Sequence, residues 1–228
     1  MTPIDPETIG CILFDCDGVL IDSEIVSARV DAELFARHGY PITAEEVAHR
    51  FAGMTGPAIY DYVGEQVGRP IPQDVRDATD AEIDRRLSTE LELISGADRL
   101  LAACIRPRAI CSNSSTERLE LSLARVGLAG AFNGHVYSAL SLPGIRPKPA
   151  PDVYAHAADR LGFSADAAIV IEDSPHGVAS GKAAGMRVIG FTGGSHAVNG
   201  HDRRLIEAGA DVIATSMAEA AAILGVRI

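Results

Sequence analysis

The feature that most constrains the fold is the alternation of short apolar segments with helical patterns after residue 96. Apolar stretches bounded by turn residues alternate with segments that have the 3.6-residue period of an amphipathic helix. Such alternation is typical of a parallel sheet covered by helices on both faces. Strands are predicted at 108–112, 134–138, 167–172, 187–191 and 211–213, and helices at 98–105, 115–126, 151–162, 175–184, 201–208 and 216–224.

Residues 22–93 differ from the rest of the chain because they contain only helical patterns. These patterns cover 24–38, 43–51, 56–67 and 73–91. A first strand is predicted at 9–15, directly before this segment. We therefore predict an α/β fold, a Rossmann-like doubly wound parallel sheet, with a core of 1–21 and 94–228. The segment 22–93 is predicted to be a small all-helical cap, inserted after the first strand and able to act as a lid that sets substrate specificity.

Composition limits the classes of partner. The 228 residues carry a formal net charge of −11, which argues against nucleic acid or an anionic membrane as a partner. It does not exclude a small anionic metabolite, because a bound cation can reverse the local field. No apolar run approaches a membrane span of about 20 residues, and no leader pattern is seen, so a cytoplasmic monomer or homodimer is expected. The four cysteines, Cys11, Cys16, Cys104 and Cys111, are expected to be small buried hydrophobes.

Two carboxylates follow the first predicted strand. Asp15 and Asp17 stand where open α/β sheets bind their ligands, at the carboxyl end of a buried strand. Crowded carboxylates do not both stay ionised cheaply without a cation or a shared proton. A calcium loop also begins with two spaced aspartates, but it needs glycine at its sixth position and glutamate at its twelfth, where this chain has Leu20 and Val26. The pair therefore predicts a metal site with a potential nucleophile.

Hydroxyl groups follow the next predicted strand, in the run 111–117 (Cys-Ser-Asn-Ser-Ser-Thr-Glu). Ser112 at the strand end, together with the free N–H groups of a helix start, would form a cradle for a phosphate group. Ser114 and Glu117 have the spacing of a capping box, so an alternative is that these serines only cap the helix.

Lys148 stands between two prolines, Pro147 and Pro149, which restrict the backbone on both sides. This favours a positioned lysine, whose ammonium would neutralise a nucleophilic carboxylate and a phosphate oxygen together. The alternative is a solvated lysine in a surface loop.

A second pair of acids, Glu172 and Asp173, ends the strand predicted at 167–172. Ser174 suits the N-cap of the following helix, and Pro175 suits its first turn. Acids at a helix N-terminus are often simple partners of the helix dipole. Combined with the carboxylates after the first strand, however, this pair completes an all-oxygen site suited to Mg²⁺.

In this order, the motifs resemble those of the haloacid dehalogenase superfamily of phosphohydrolases. They are DxDGxxxDS at 15–23, Ser112-Asn113, Lys148-Pro149 and Glu172-Asp173-Ser174. The helical insert resembles the cap of the beta-phosphoglucomutase and phosphoglycolate phosphatase branch. Its loop at 51–54 and the Cys-Ser-Asn-Ser run are most similar to bacterial sugar-phosphate phosphatases, including the 6-phosphogluconate type.

The resemblance implies a Mg²⁺-dependent phosphatase that hydrolyses a small phosphate monoester, either a sugar phosphate or a phospho-sugar acid. Asp15 would be the nucleophile that forms an aspartyl-phosphate, and Asp17 the general acid and then the general base. The metal would be held by the Asp15 and Asp173 carboxylates and by the carbonyl of Asp17. Glu172 would either bind the metal directly or support the residues that do. The phosphoryl oxygens would be held by Ser112, Asn113 and Lys148.

Other activities known for this kind of fold are less compatible with the residues. A sugar phosphomutase uses a histidine and an arginine of the cap, and the corresponding positions hold Ser27 and Gly56. A phosphonatase needs a cap lysine, and 22–93 contains none. A phospho-acceptor signalling domain, which is not an enzyme, would have no use for the insert. A dehalogenase would lack Asp17.

The leaving group of the substrate is expected to contact the insert. The candidate specificity residues are Glu24, Arg50, Gly53, Met54 and Thr55. Because the loop around 50–56 is mostly small or apolar, the sequence favours a compact leaving group that is uncharged to polar.

Overall fold

A six-stranded sheet forms the centre of the computed structural model, which describes residues 4–51, 54, 56–197 and 200–228. The strands are β1 (Cys11–Phe14), β2 (Arg108–Ser112), β3 (Val136–Ser138), β4 (Ala168–Glu172), β5 (Arg187–Phe191) and β6 (Val212–Ala214). Their order is β3-β2-β1-β4-β5-β6, and every neighbouring pair is parallel. The predicted doubly wound parallel sheet is confirmed.

Helices cover both faces of the sheet. Those after the insert are α5 (Ala97–Ala103), α6 (Thr116–Arg125), α7 (Asp152–Leu161), α8 (Pro175–Ala183), α9 (His201–Glu207) and α10 (Met217–Ile223). Side chains of β1 alternate between the two faces, so that Ile12 and Phe14 pack with α5, α6 and α10, whereas Cys11 and Leu13 pack with α7, α8 and α9. Because both faces are buried, the central strands are continuous apolar runs, which is why their bounds could be predicted from the sequence.

The insert consists of four helices in the part of 22–93 that the structure describes. They are α1 (Ser23–Arg37), α2 (Ala44–Arg50), α3 (Gly56–Val67) and α4 (Gln73–Glu90). Their own apolar cluster is centred on Phe35, whose ring packs edge to face against Phe51 and Tyr60 with centroids 6.3 and 6.2 Å away. The other side of α1 and α4 joins the main core through Val26, Val30, Ile83 and Leu87.

The two ends of the insert lie side by side at the carboxyl end of β1. The Asp22 N–H donates to the Glu92 carbonyl at 3.0 Å, and the Ile94 N–H donates to the Leu20 carbonyl at 3.0 Å. The chain therefore leaves the sheet and returns to it at one place, next to the carboxylates that follow β1. This pairing supports the predicted division into core and cap, which stays a prediction.

Two further expectations concern single features of the chain. All four cysteines are buried and free, as predicted. Among the helices of the described residues, none is long and apolar enough to cross a membrane.

Candidate active site

Three carboxylates meet where the order of the strands reverses. From β1, the chain continues to β2 on one side, and β4 lies on the other, so a crevice opens at their carboxyl ends. Asp15 directly follows β1, Glu172 ends β4, and Asp173 is the next residue. One oxygen from each of these three buried side chains lies within 4.8 Å of the other two. The sequence prediction that these acids come together is therefore correct.

This cluster has the properties of a metal site. Burial raises the pKa of Asp15 well above its usual value, and the charges of Glu172 and Asp173 raise it further. Lys148 opposes this rise in the pKa without cancelling it, and a bound cation would further favour the ionised carboxylates. Because the donors are all hard oxygen atoms, the residues present fit a hard divalent cation such as Mg²⁺.

Lys148 supplies one positive charge to the cluster. Its Nζ donates to Asp15 Oδ1 at 2.8 Å, to Glu172 Oε1 at 2.7 Å and to the Cys111 carbonyl at 2.7 Å. Burial lowers the pKa of Lys148, but the two adjacent carboxylates raise it above its ordinary value, so the lysine is charged. The lysine is 7% exposed, which rules out the alternative of a solvated surface residue. One ammonium against three carboxylates leaves the site negative.

Asn113 fixes the loop that carries this lysine. Its Nδ2 donates to the Lys148 carbonyl at 3.3 Å, and its Oδ1 accepts from the Lys148 N–H at 2.9 Å. The side-chain amide is therefore engaged with the backbone of Lys148. If Asn113 holds a phosphoryl oxygen, as predicted, its backbone N–H is the group that remains to do so.

Asp17 is surrounded by hydroxyl groups. Its Oδ1 accepts from Ser23 at 2.7 Å, and its Oδ2 accepts from Ser112 at 3.1 Å and from Ser114 at 2.8 Å. The Asp17 carboxylate is not part of the three-carboxylate cluster, so its carbonyl is what remains as a predicted metal ligand.

The proposed capping box at Ser114 is wrong. The N-cap of α6 is Ser115, whose hydroxyl accepts from the Arg118 N–H at 3.3 Å. Because the Ser114 hydroxyl donates to Asp17, it belongs to the site. Adjacent serines offer the same group to a helix start, and local spacing does not distinguish which of them caps it.

Glu172 is held on both of its oxygens. Oε1 accepts from Lys148 and from the Tyr154 hydroxyl at 2.9 Å, whereas Oε2 accepts from the N–H and the hydroxyl of Ser174, both at 3.0 Å. This arrangement favours Glu172 as the anchor of Lys148 rather than as a direct metal ligand. Ser174 also caps α8 by accepting from the Gly177 N–H at 3.0 Å, as predicted.

Gly177→Ala should unfold or strongly destabilise the protein. A Cβ at this position would fall onto the Glu172 carboxylate, which is fully buried and fixed by four donors. Displacing it would leave Lys148 buried with one carboxylate fewer, a change that typically costs about 3–5 kcal/mol. Thermal unfolding measures the loss. Gly130→Ala is the matched control, because no atom lies within 4 Å of its Cβ and its φ is not left-handed; equal melting temperatures for both variants would contradict the account.

His196, for which the sequence favours only a surface or packing role, contacts the site through Asp173. Its Nε2 lies 2.9 Å from Asp173 Oδ2. Burial lowers the pKa of His196, but the hydrogen bond and the charge of Asp173 outweigh this effect and raise the pKa to about 9. His201 Nε2 contacts the Asp173 carbonyl at 2.6 Å. The nearby Gly194 is the sequence feature that could have pointed to this loop. A Cβ at Gly194 would lie 2.9 Å from the Gly18 carbonyl, so a glycine is needed where this loop approaches the loop after β1.

A cavity of about 400 Å³ lies between this edge of the sheet and the insert. Of the predicted specificity residues, Glu24 and Met54 line it. Arg50 does not; it is exposed at the end of α2 and donates to the Tyr40 hydroxyl. Gly53 and Thr55 lie outside the described residues.

Four polar groups that the sequence analysis overlooked also line this cavity. They are Asp31, Tyr60, Asp80 and Arg118. The expectation of mostly small or apolar surroundings for the leaving group was therefore incomplete. Asp31 had a detectable signal, because it is an acid on the buried face of α1, in helical register with Ala28 and Phe35.

The model of the haloacid dehalogenase-like hydrolases matches residues 9–185. The chain therefore belongs to the haloacid dehalogenase-like hydrolases, the family that its motifs resemble.

Named relatives narrow the class. The chain is 32% identical to the 6-phosphogluconate phosphatase of Escherichia coli (strain K12), covering 82% of this chain and 85% of the relative. It is 29% identical to hexitol phosphatase B of the same organism, covering 81% and 84%. The crystal structure of a haloacid dehalogenase-like protein of unknown function from Agrobacterium tumefaciens str. C58 matches with a TM-score of 0.90 and 43% identity over 95% of this chain and 98% of that one. Family and relatives together support phosphatase activity.

Proposed function

We propose that the protein is a Mg²⁺-dependent phosphatase that hydrolyses a small phosphate monoester through a phosphoryl group carried on Asp15. One observation carries the proposal: the buried Asp15 carboxylate, paired with the Lys148 ammonium at 2.8 Å, lines the same cavity as Asp17. Two carboxylates in different surroundings suit the separate roles of nucleophile and proton carrier.

In the first step, an oxygen of Asp15 forms a bond to phosphorus while the bond from phosphorus to the leaving oxygen breaks. Asp17 gives its proton to that oxygen, so an alcohol departs. The hydroxyls of Ser23, Ser112 and Ser114 hold the Asp17 carboxylate in place. Lys148 stabilises the charge that gathers on the phosphoryl oxygens.

In the second step, Asp17 takes a proton from water, the water oxygen bonds to phosphorus, and the bond from phosphorus to Asp15 breaks. Inorganic phosphate leaves and both aspartates are restored. When held by Asp15, Asp173 and the Asp17 carbonyl, Mg²⁺ supplies positive charge that offsets the repulsion between the carboxylates and the phosphate.

The insert is proposed to be the lid of this site. Arg118 Nε on α6 donates to Asp84 Oδ1 on α4 at 2.6 Å, and Arg204 on α9 donates to the His49 carbonyl at the end of α2 at 3.2 Å. These contacts tie the insert to the sheet domain at two places. A lid closed in this way excludes bulk water from the phosphoryl intermediate.

Hydrolysis is favoured over phosphoryl transfer within a sugar, the mutase alternative. A mutase must hold the phosphate that its substrate retains, and arginine or lysine is the usual ligand. In the described part of the insert, no residue that lines the cavity is a lysine or arginine, and Arg118 of α6, which does line it, is already paired with Asp84. Ser27 and Gly56, which do line it, do not supply the missing charge.

Release of phosphate with and without Mg²⁺ tests the proposal, and Asp173→Ala sharpens the test. Because Asp173 would be a direct ligand, its loss should raise the Mg²⁺ concentration needed for half-maximal activity at least about tenfold. Tenfold is the lower end of the loss of metal affinity that follows removal of a residue that only supports a metal ligand. Asp159→Ala, an exposed aspartate of α7, is the matched control and should leave the titration unchanged. Equal release in the presence of a chelator, or an unchanged titration for Asp173→Ala, would contradict the metal assignment.

A further inference from the structure

The outer part of the cavity holds a buried carboxylate that the proposed chemistry does not use. Asp31 on α1 lines the cavity, is 6% exposed, and has an Oδ1 atom without a hydrogen-bond partner among the described residues. Burial raises the pKa of Asp31 to about 7, against the opposing effect of the Tyr60 hydroxyl. A buried polar atom without a partner is costly, so a group that arrives with the substrate is the natural partner for it.

Asp31 lies at the far end of a polar line that begins at the reaction centre. Ser23, Ser27 and Asp31 are four residues apart on α1, which puts them on one face of the helix, and all three line the cavity. Ser23 donates to Asp17 at 2.7 Å. The eight residues from Ser23 to Asp31 rise by about 12 Å. This length suits a leaving group of five or six carbons that extends from its phosphate along the helix.

Among the described residues that line the cavity near Asp31, all are acidic or neutral except one. The Tyr60 hydroxyl donates to Asp80 Oδ1 at 3.4 Å, and both residues line the cavity. The exception is Arg118, whose Nε is already paired with Asp84 Oδ1 at 2.6 Å. Carboxylates therefore outnumber the one guanidinium in this part of the cavity.

We infer that Asp31, with Tyr60 and the terminal nitrogens of Arg118, recognises the hydroxyl groups of a neutral polyhydroxy leaving group, so that the substrate is the phosphate ester of a sugar or sugar alcohol and not of a sugar acid. This inference rests on the phosphatase function proposed above. Asp31 accepts hydrogen bonds from hydroxyls, and Tyr60 and Arg118 supply the donors. At a pH above about 7, where Asp31 is ionised, a carboxylate in the same place would meet Asp31 and Asp80 at short range in a cavity of low dielectric, where like charges repel strongly.

The named relatives do not decide this point. One is named for 6-phosphogluconate, which carries a carboxylate, and the other for hexitols, which carry none. The two compounds differ in the charge at the end far from the phosphate, which is the end that Asp31 would contact.

The test compares a hexitol 6-phosphate with the hexonate 6-phosphate of the same configuration, so that the two substrates differ only at C1. For the wild-type protein, kcat/KM is expected to be at least about tenfold higher for the hexitol ester, the ratio that corresponds to 1.4 kcal/mol. p-Nitrophenyl phosphate, which has no hydroxyl chain, is measured beside them as a reference for the chemical step.

Two variants connect this preference to the residues. Asp31→Asn should raise KM for the hexitol ester about tenfold, because an amide oxygen is a weaker hydrogen-bond acceptor than a carboxylate. It should also narrow the preference for the hexitol ester over the hexonate ester, because the repelling charge is removed. Its melting temperature should not fall, since the variant keeps the shape of the side chain and removes a carboxyl group whose ionised form is disfavoured by burial. A purely structural residue would lose stability instead. Tyr60→Phe removes only the hydroxyl and should raise KM for the hexitol ester several-fold. Asp77→Asn, the same change at an exposed position on α4, is the control. It should change neither KM for the hexitol ester nor the preference for this ester over the hexonate ester.

Each outcome bears on one of the two proposals. Equal or faster hydrolysis of the hexonate ester by the wild-type protein would overturn the inference and leave the phosphatase standing. An unchanged preference in Asp31→Asn would also overturn it. No Mg²⁺-dependent release from either six-carbon ester or from p-nitrophenyl phosphate would instead overturn the proposed function itself.

Discussion

Asp15→Asn should abolish turnover while leaving the protein folded. Asparagine has the shape of aspartate but lacks a nucleophilic carboxylate, so no phosphoryl group can be carried and kcat/KM should fall by about 10⁴-fold or more. Folding should survive because an amide oxygen at this position can still accept from Lys148 Nζ. In addition, burial and the charges of Glu172 and Asp173 outweigh the opposing charge of Lys148 and disfavour the ionised form of Asp15. Lys148 would keep its contacts with Glu172 and with the Cys111 carbonyl.

Steady-state kinetics and thermal unfolding, measured on the same preparation, check this result. Asp159→Asn makes the same change on an exposed turn of α7 and should retain full activity. Mg²⁺-dependent turnover by Asp15→Asn above a trace would remove Asp15 from the role of nucleophile. A large fall in melting temperature would show instead that the ion pair with Lys148 is needed for folding.

Asp17→Asn should separate the two halves of the reaction. A p-nitrophenolate group leaves without a proton, so the variant should still transfer the phosphoryl group to Asp15. Hydrolysis of that group needs a base to take the proton of water, and an amide is not one, so kcat should fall by about 10²–10⁴-fold. We expect a burst of one p-nitrophenolate per protein molecule, followed by slow turnover.

An alkyl phosphate is the internal control for this variant. Its leaving oxygen needs the proton that Asp17 supplies, so no burst should appear with it. Equal losses on both substrates, with no burst on either, would contradict the assignment of Asp17 as both acid and base.

The fold and the centre of the site were predictable because buried strands, and the acids that follow them, form patterns within short segments of the sequence. Asp15 and Glu172 each end an apolar run, and parallel strands bring their carboxyl ends to one edge. The predicted parallel sheet is therefore sufficient to place these two carboxylates next to each other. Lys148 was predictable for a different reason, namely the two prolines that fix its loop.

The remainder of the site depends on tertiary contacts that have no local mark. Tyr154 lies on α7 and reaches Glu172 across the sheet face, and an aromatic residue in an amphipathic helix is usually only core. His196 reaches Asp173 from the loop after β5. In both cases, the two residues are far apart in the sequence and meet only through tertiary packing, so no local pattern predicts the contact.

The insert shows the same limit in another form. The sequence correctly predicted its helices, because their apolar period is local. It directed attention to the loop around Arg50, whereas the polar groups that line the cavity include Asp31 on α1 and Tyr60 on α3. Which face of each helix meets the sheet domain is decided by packing at Phe35 and Phe51, and only the folded structure reveals it.

The measurement that tests the central claim most directly is the location of the phosphoryl group. Asp17→Asn is mixed with p-nitrophenyl phosphate and Mg²⁺, quenched in acid during the burst, and digested for mass spectrometry. We expect one phosphoryl group on the peptide that contains Asp15, and none on this peptide in the Asp15→Asn, Asp17→Asn double variant. A burst without a phosphorylated peptide, or a phosphoryl group on another residue, would contradict this expectation.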